Sequence, residues 1–495
     1  MSSMLENFKQ PKPFYMIFFV EMWERFGFYG MQALLAVYFV KSLGMSDTES
    51  FSVMGAFMAL VYGFVSIGGY IGDRVLGTKR TMVLGAITLA IGYFLLAASA
   101  HFSHLVFTAL GTICIGNGLF KANPSSLLSK CYKEGDPKLD GAFTMYYMAV
   151  NIGSFFATAF VPVVSSHFGW SVAYILSGVG LVVALINYML CRHWVAHVGS
   201  EAGMKKLNFN KLLVVIIGSV IGVFVSSFLL RNLGVAHWVL GVIVTAVVLY
   251  YFYETARENT GYQTKMIVAF ILMLIAIVFF VLYMQMPTSL NFFAINNVEH
   301  SIFGIPINPI SFQALNPFWI VVASPILAYF YSHFGTKGKD LAMPFKFAIG
   351  MFLCAFGFLV LPLGAKFANV HGIVSSSWII LCYLFQSVGE LMISGLGLAM
   401  VAQLVPQRLM GLVMGVWFLV SAVASMIAGH VAGLTAAPKG VTGAIQTLPV
   451  YSHVFLQIGV VTFVIAVITL IAAPMLTRYI NADVTATKKE TILPA

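Results

Sequence analysis

The chain alternates long hydrophobic runs with short polar segments, and this pattern predicts membrane-spanning helices. At a rise of about 1.5 Å per residue, about 20 apolar residues in a helix cross a hydrocarbon core about 30 Å thick. We predict 14 spans, an even number that places both termini on the same side of the membrane. The predicted spans are residues 14–43, 51–76, 81–100, 105–130, 142–166, 169–191, 211–230, 235–253, 266–297, 312–334, 344–365, 375–405, 408–435 and 450–477.

The composition excludes a soluble protein, since 60% of the residues are hydrophobic and 9% are charged. A soluble domain carries about 25% charged residues. The five cysteines lie in or beside apolar runs without paired spacing, which indicates buried thiols rather than disulfides or a metal site. No Gly-x-Ser-x-Gly or His-Glu-x-x-His motif is present, so we expect neither an enzyme nor a catalytic residue.

The basic residues determine the predicted orientation. With a cytoplasmic N-terminus, 21 of the 27 Lys and Arg residues fall at cytoplasmic ends and loops, and four fall outside. The positive-inside rule therefore predicts that both termini are cytoplasmic. The formal charge of +10 comes from the same loops. No basic stripe or recognition module indicates nucleic-acid binding.

The spans group as six, two and six. We predict an N-terminal six-helix bundle, a linker with two inserted helices and a C-terminal six-helix bundle, at residues 1–192, 193–260 and 261–495. Gly77-Thr78-Lys79 follows the second span of the first half, and Gly335-Thr336-Lys337 follows the second span of the second half. Parallel six-span halves predict an all-α membrane protein with the major facilitator fold and a substrate site between the halves.

Five ionisable residues lie well inside predicted spans, where an unpaired charge costs several kcal/mol. Glu21, Glu24 and Arg25 share one helix face with Tyr29. That face either lines a cavity or forms a buried ion pair that fixes helix packing. Lys121 requires an anion, which is either a carboxylate side chain or a substrate.

Glu390 is the fifth residue, and its own span contains no basic residue. A buried carboxylate either takes up a proton or binds a cation. Together with Arg25 and Lys121, it predicts a bipolar site that suits a short zwitterionic peptide. Six further residues either complete such a site or pack in the core, namely Tyr29, Tyr62, Tyr147, Asn151, Asn316 and Trp417.

Three motifs resemble those of the proton-dependent oligopeptide transporters. The segment from Glu21 to Tyr29 resembles E-x-x-E-R-F-x-Y-Y, and the segment from Phe143 to Ser154 is similar to F-Y-x-x-I-N-x-G-S. Gly389-Glu390-Leu391 resembles the G-E-L motif of the tenth helix. The resemblance covers essentially the whole chain and extends in particular to the enterobacterial di- and tripeptide permeases.

The resemblance implies a proton-coupled symporter that imports di- and tripeptides across the bacterial inner membrane by alternating access. It implies that Arg25, Tyr29 and Lys121 hold the peptide carboxylate. It also implies three further roles: Asn151, Asn316 and Glu390 hold the amino end and backbone; Tyr62, Tyr147, Ser394 and Trp417 shape side-chain pockets; and Glu21 and Glu24 exchange protons with Arg25 and Lys121. We expect no cofactor besides the proton, a lipid environment and a monomer.

The sequence departs from the family pattern at three positions. Phe28 replaces the first tyrosine of the first motif, and Gly395 stands where many members have proline. Met284 occupies the acidic position of the seventh-helix motif F-W-x-x-x-[ED]-Q, which leaves the number of protons and the gating pair open. An anion carrier similar to the nitrate transporters is the alternative, although Glu390 argues against it.

Overall fold

The chain forms two compact units, which the computed structural model describes at residues 10–133, 136, 138–335, 341–437, 441 and 443–481. The first unit contains Met1–Leu233 and Ile307–Val321, and the second contains Gly234–Pro306 and Val322–Ala495. The division into 1–192, 193–260 and 261–495 stays a prediction.

Helices make up nearly all of the described structure. The first unit contains α1 (Lys12–Lys41), α2 (Asp47–Gly63), α3 (Val65–Tyr70), α4 (Thr78–Ser99), α5 (Val106–Lys121), α6 (Asn123–Ser129), α7 (Lys138–Cys191), α8 (Glu201–Met204) and α9 (Phe209–Arg231). The remaining helices are α10 (Leu233–Ala256), α11 (Thr260–Tyr283), α12 (Ser289–Asn297), α13 (Leu315–Gly335), α14 (Met343–Ala365), α15 (Ser376–Leu404), α16 (Met410–Gly433) and α17 (Ala444–Ile480).

Local sequence signals set several helix ends. Ser46 caps α2 by accepting a hydrogen bond from the Glu49 amide at 3.2 Å, as a side-chain oxygen at an N-cap does. Asn208 caps α9 and Asn259 caps α11 in the same manner. The segment α7 contains two helices that meet at Gly169, whose φ of 83° and ψ of 172° are not helical; a positive φ of this kind is open mainly to glycine.

Twelve helical segments in the described part of the chain are long and apolar enough to cross a membrane. One of them, Gly141–Val195, has 55 residues. Because it is interrupted at Gly169, it provides two helices of more than about 20 residues each, which agrees with the two spans predicted there. The helix α1 is outside the twelve because its charges lower its hydropathy. With α1 and two crossings in α7, the structure agrees with the 14 predicted spans.

The inserted helices α9 and α10 leave most of their surface outside the protein core. Only 22% of the most apolar part of α9 and 6% of that of α10 is buried in the protein. A helix that is apolar all round and largely unburied is stable in lipid.

The structure differs from the predicted elements at three places. The predicted span 266–297 is wrong as a single helix, because α11 ends at Tyr283 and α12 begins at Ser289. Pro287 lies between them, and a proline disfavours helical geometry in the residue before it. The predicted span 105–130 is confirmed as the candidate membrane segment Ser103–Ser129, but it contains two helices that meet at Ala122, before Pro124.

A short β-hairpin adds to the predicted all-α fold. Its strands β1 (Ser301–Ile302) and β2 (Ile305–Pro306) are antiparallel. Phe303 and Gly304 join them with φ of 50° and 80°, the positive values that a two-residue hairpin turn requires. The repeated Gly-Thr-Lys segment cannot be compared, since Thr336 and Lys337 lie outside the described residues.

Candidate functional site

A cluster of buried charges lies on α1. The Arg25 guanidinium donates from Nε to Glu24 Oε2 and from Nη2 to Glu24 Oε1, the latter at 2.6 Å. The Nε atom is also 3.4 Å from Glu21 Oε1. All three side chains are buried. Glu21 Oε2 is buried without a hydrogen-bond partner among the described residues, which leaves one carboxylate oxygen of the cluster unsatisfied.

The close packing of α7 against α1 fixes the position of this cluster. A Cβ atom on Gly153 of α7 would lie 2.2 Å from the Met22 carbonyl oxygen, so only glycine permits the contact. The Arg25 guanidinium carbon also lies 5.0 Å from the centre of the Phe28 ring, within the range of a cation–π contact. Phe28, which replaces the first tyrosine of the family motif, therefore contacts the guanidinium group of Arg25.

Lys121 is the second cation of the cluster. It ends α5, is half-buried, and interacts electrostatically with Arg25, Glu21 and Glu24. It forms no hydrogen bond or ion pair with any residue that the structure describes. The end of α5 before Pro124 places the lysine at a helix end. Two cations and two carboxylates thus lie together in the first unit.

Two asparagines hold the α5–α6 break against the preceding helices. Asn117 Nδ2 donates to the Val61 carbonyl oxygen at 3.2 Å. Asn123 Nδ2 donates to the Leu119 carbonyl oxygen at 2.6 Å and to that of Gly68 at 3.3 Å. Both side chains are buried. Neither asparagine was predicted as a functional residue, although Asn117 and Asn123 flank Lys121 in the Gly-rich segment 116–124.

The other residues predicted in the first unit differ in burial. Asn151 is buried and donates from Nδ2 to the Tyr147 carbonyl oxygen at 2.9 Å. Tyr147 itself is exposed, and Tyr29 and Tyr62 are half-buried. Tyr146, which the prediction did not single out, lies close to Glu21. Its place directly before Tyr147 in the fifth-span motif was the available signal.

Asn316 belongs to the first unit and is buried. The segment before it is anchored by three hydrogen bonds. Asn308 Nδ2 donates to the Pro162 carbonyl oxygen at 3.1 Å, Ser311 Oγ to that of Ala159 at 3.0 Å, and Gln313 Nε2 to that of Ala33 at 3.2 Å. These contacts fix the start of α13 within the first unit.

Three predicted residues lie in the second unit. Glu390 is buried on α15 beside Gly389, where a Cβ atom would lie 2.6 Å from Cys354 Sγ of α14. Ser394 is half-buried one turn further along. Trp417 is buried on α16, with its ring centre 5.8 Å from that of Phe280. The predicted pairing of Glu390 with Arg25 and Lys121 joins groups of different units and stays a prediction.

Met284, at the acidic position of the family motif, is buried at the end of α11. Next to it, Gln285 Nε2 donates to the Val281 carbonyl oxygen at 2.9 Å, and Gln285 Oε1 accepts from Ser289 Oγ at 2.7 Å. A carboxylate at position 284 would be buried, which costs several kcal/mol unless it is paired or protonated. The thioether carries no such cost.

The cluster on α1 and α5 can exchange a proton for an anion. With both glutamates ionised, the two carboxylates balance Arg25 and Lys121. A proton on one carboxylate leaves an excess positive charge at a buried position, which a carboxylate ligand would neutralise. The half-buried Lys121 is the cation of the cluster that is open to such a ligand.

The chain matches a known family along most of its length. The family model described as the POT family matches residues 79–448. A dipeptide and tripeptide permease B of Photorhabdus luminescens is 57% identical over 471 residues, which are 95% of this chain and 97% of the relative. A dipeptide and tripeptide permease A of Edwardsiella piscicida is 58% identical over 480 residues, 97% of each chain.

Solved structures agree with the sequence relatives. The structure of tetrameric PepTSo2 has a TM-score of 0.85 and 38% identity over 95% of this chain and 100% of that chain. A structure from work on substrate recognition in proton dependent oligopeptide transporters has a TM-score of 0.82 and 36% identity over 94% of this chain and 99% of that chain. On these matches, the chain belongs to the POT family.

Proposed function

We propose that the chain is a proton-coupled symporter that imports di- and tripeptides across the bacterial inner membrane by alternating access. The observation that carries this proposal is the buried cluster in which Arg25 and Lys121 balance Glu21 and Glu24. Buried charges at membrane depth are costly, and a charge-balanced group of acids and bases is typical of proton-coupled carriers. The dipeptide and tripeptide permeases named above support the same substrate class.

The coupling step follows from the contacts of Arg25. In the ionised state, Glu24 occupies two guanidinium donors and Glu21 lies against Nε. Protonation of either glutamate from the periplasm weakens its hold on Arg25, because a neutral carboxyl no longer attracts the cation. The peptide carboxylate then binds Arg25 and Lys121. Loss of the proton to the cytoplasm restores the pairing with the glutamate and releases the peptide.

The remaining site residues have proposed roles that suit a short peptide. Tyr29 helps to hold the peptide carboxylate. Glu390 binds the peptide ammonium group, and Asn151 and Asn316 bind its amide backbone. Tyr62, Tyr147, Ser394 and Trp417 shape the side-chain pockets. No protein cofactor takes part, and the proton is the coupling ion.

The placement in the membrane is part of the proposal. Both termini face the cytoplasm, as the distribution of basic residues predicts. We also propose a transporter without catalytic activity and a functional monomer, although the similar PepTSo2 is described as tetrameric. The anion-carrier alternative is not favoured, since both sequence relatives are named as peptide permeases.

Uptake of labelled dialanine into proteoliposomes tests the proposal. We expect uptake to require an inward proton gradient and to be blocked by trialanine, but not by alanine or tetra-alanine. Empty liposomes and protein-containing liposomes treated with a protonophore are the controls. If dialanine neither enters nor competes under any gradient, the peptide proposal is wrong, and uptake of labelled nitrate becomes the next test.

The variant Glu390→Gln separates the peptide and anion functions. A zwitterionic peptide needs the carboxylate for its ammonium group, so uptake of dialanine falls by about tenfold or more, as for loss of a charged hydrogen bond. A carrier of simple anions keeps its rate, because nothing in its substrate binds a carboxylate. Unchanged dialanine uptake would exclude Glu390 from the binding of the amino end.

A further inference from the structure

A basic cavity lies in the first unit, built by different residues from those of the charged cluster. Its volume is about 670 Å³. Six basic residues line it, namely Arg74, Arg80, Lys130, Lys205, Lys206 and Lys211. Its acidic lining residues are Asp73 and Glu201, so the cavity carries an excess of four positive charges. The proposed transport function uses none of these residues.

The acidic residues neutralise only two of the six cations. Lys130 Nζ lies 2.8 Å from Asp73 Oδ1, and Lys205 Nζ lies 2.6 Å from Glu201 Oε1. Arg80 donates to the Lys205 carbonyl oxygen at 2.8 Å, which leaves its charge uncompensated. Among the described residues, Arg74, Lys206 and Lys211 form no ion pair. The cavity therefore favours an anionic ligand.

The walls of the cavity are held together by specific contacts. Ser200 is buried, donates from Oγ to the Gly72 carbonyl oxygen at 2.8 Å and accepts from the Thr78 amide at 3.2 Å. Gly77 has a φ of 97°, and a Cβ atom there would lie 2.2 Å from the Cα atom of Gly203. Through these contacts, Ser200 and Gly203, which lie before α9, pack closely against the start of α4.

The position of the cavity indicates a lipid rather than a free anion. Its lining includes the residues around the end of the candidate span Asp47–Val75 and those before the start of Phe209–Arg231. Both ends mark the boundary between hydrocarbon and water. Beside the basic residues, α9 exposes large apolar side chains: Phe209, between Lys206 and Lys211, is 74% exposed, and Val214 is 69% exposed. A soluble phosphate needs no such surface, whereas acyl chains do.

We propose that this cavity binds the phosphate headgroup of an anionic phospholipid, whose acyl chains lie along the exposed apolar face of α9. Arg74, Arg80, Lys206 and Lys211 supply the charges that the protein leaves uncompensated. Basic pockets at the cytoplasmic ends of membrane helices bind such headgroups. The proposal does not depend on transport, because it concerns a binding site in the first unit alone.

Native mass spectrometry of the full-length protein, titrated with phosphatidylglycerol or phosphatidylcholine, tests the proposal. We expect phosphatidylglycerol to bind and phosphatidylcholine to bind far more weakly. The double variant Lys206→Gln/Lys211→Gln loses affinity for phosphatidylglycerol by about 25-fold, at about fivefold per basic residue. Lys206→Arg/Lys211→Arg keeps the affinity, which shows that charge and not an altered fold is responsible.

A matched control removes the same charge elsewhere in the first unit. Lys12 and Lys138 are exposed and do not line the cavity. Lys12→Gln/Lys138→Gln is therefore expected to keep full affinity for phosphatidylglycerol. An equal loss in this control would overturn the proposal, because it would reduce the effect to general attraction between a basic protein and an anionic lipid.

A second arm separates a lipid site from a site for soluble phosphate. Inorganic phosphate and glycerophosphoglycerol, which is the headgroup without acyl chains, are titrated as competitors. We expect neither to displace phosphatidylglycerol, and Phe209→Ser to weaken its binding. Displacement by either soluble anion at the concentration of the lipid would contradict the proposal and assign the cavity to a soluble phosphate ligand.

Discussion

At the scale of single residues, Arg25 is buried together with Glu21 and Glu24 of the same helix. The spacing of Glu21 and Arg25 at i and i+4 predicts their contact, and the structure places them 3.4 Å apart. The bidentate contact, however, is with the adjacent Glu24. Adjacent residues point about 100° apart on a helix, so spacing alone does not predict this choice. The long guanidinium side chain folds back to reach it.

Removal of the Glu24 carboxylate tests its pairing with Arg25. In Glu24→Gln, the buried guanidinium loses its bidentate partner, so the free energy of unfolding falls by about 3–5 kcal/mol. Thermal unfolding in detergent measures the change. Glu49→Gln makes the same substitution at an exposed position, and we expect no shift there. Equal unfolding temperatures for Glu24→Gln and the wild type would contradict the assigned pairing.

Lys121 has a different expected profile. Because the ammonium group acts on the two glutamates only at longer range and forms no ion pair with described residues, Lys121→Ala lowers the unfolding temperature less than Glu24→Gln does. Its dialanine uptake under a proton gradient falls by about tenfold or more, the effect of losing a charge-assisted bond to the substrate. Lys41→Ala, at the exposed end of α1, is the control for uptake. Full accumulation by Lys121→Ala would remove this lysine from the mechanism.

At the scale of helices, close packing against α1 gives the cluster its place. The carbonyl oxygen of Met22, which lies between Glu21 and Glu24 in the sequence, is in contact with Gly153 of α7. The same motif supplies Asn151 one half-turn earlier. The glycine and the asparagine therefore serve different purposes, the first in packing and the second, as proposed, in binding the peptide.

Gly153→Leu tests the packing. A side chain at this position forces α7 away from α1, and overpacking of this kind lowers the free energy of unfolding by about 1–3 kcal/mol. Gly218→Leu on α9 is the matched control, because a Cβ atom there meets nothing within 4 Å. Thermal unfolding and dialanine uptake are measured for both variants. Wild-type values for Gly153→Leu would mean that the two helices do not depend on this contact.

The sequence predicted helices better than their interruptions. Pro287 lay within a span predicted as continuous, although α11 ends before it. The residues after Pro287 explain the error, since Leu290, Phe292 and Phe293 are apolar and buried. Hydropathy therefore continues across the turn, and only the proline marks it.

The candidate site was predictable to a similar extent. The buried charges of α1 and Lys121 follow from polar residues within apolar runs. Their association was predicted from the family resemblance, whereas the residue pattern alone does not show how helices that are far apart in sequence pack together. The same limit applies to Ser200, an ordinary loop serine in the sequence that forms two buried hydrogen bonds in the wall of the basic cavity.

At the scale of the whole molecule, the chain combines 14 membrane crossings with membership of the POT family. The even number requires both termini to lie on one side, and the basic loops predict that this side is the cytoplasm. This orientation matters for the mechanism, because protons must enter the cluster from the periplasm and leave to the cytoplasm for import.

Reporter fusions test the orientation. A green fluorescent protein fused after Arg478 is expected to fluoresce, and alkaline phosphatase fused at the same residue to be inactive, because the phosphatase folds only in the oxidising periplasm. Fusions at His101, in the predicted periplasmic loop after α4, should give the reverse result. Active phosphatase at the C-terminus would reverse the predicted topology.

We propose that the charge cluster of α1 and α5 couples the peptide to the proton, and peptide-driven proton entry measures this coupling. Proteoliposomes loaded with a pH-sensitive dye receive dialanine without any imposed gradient. We expect internal acidification for the wild type, none with alanine, and none for Glu21→Gln even if that variant still exchanges peptide for peptide. Dialanine uptake without acidification in the wild type, or full acidification by Glu21→Gln, would contradict the proposed coupling of peptide and proton by this cluster.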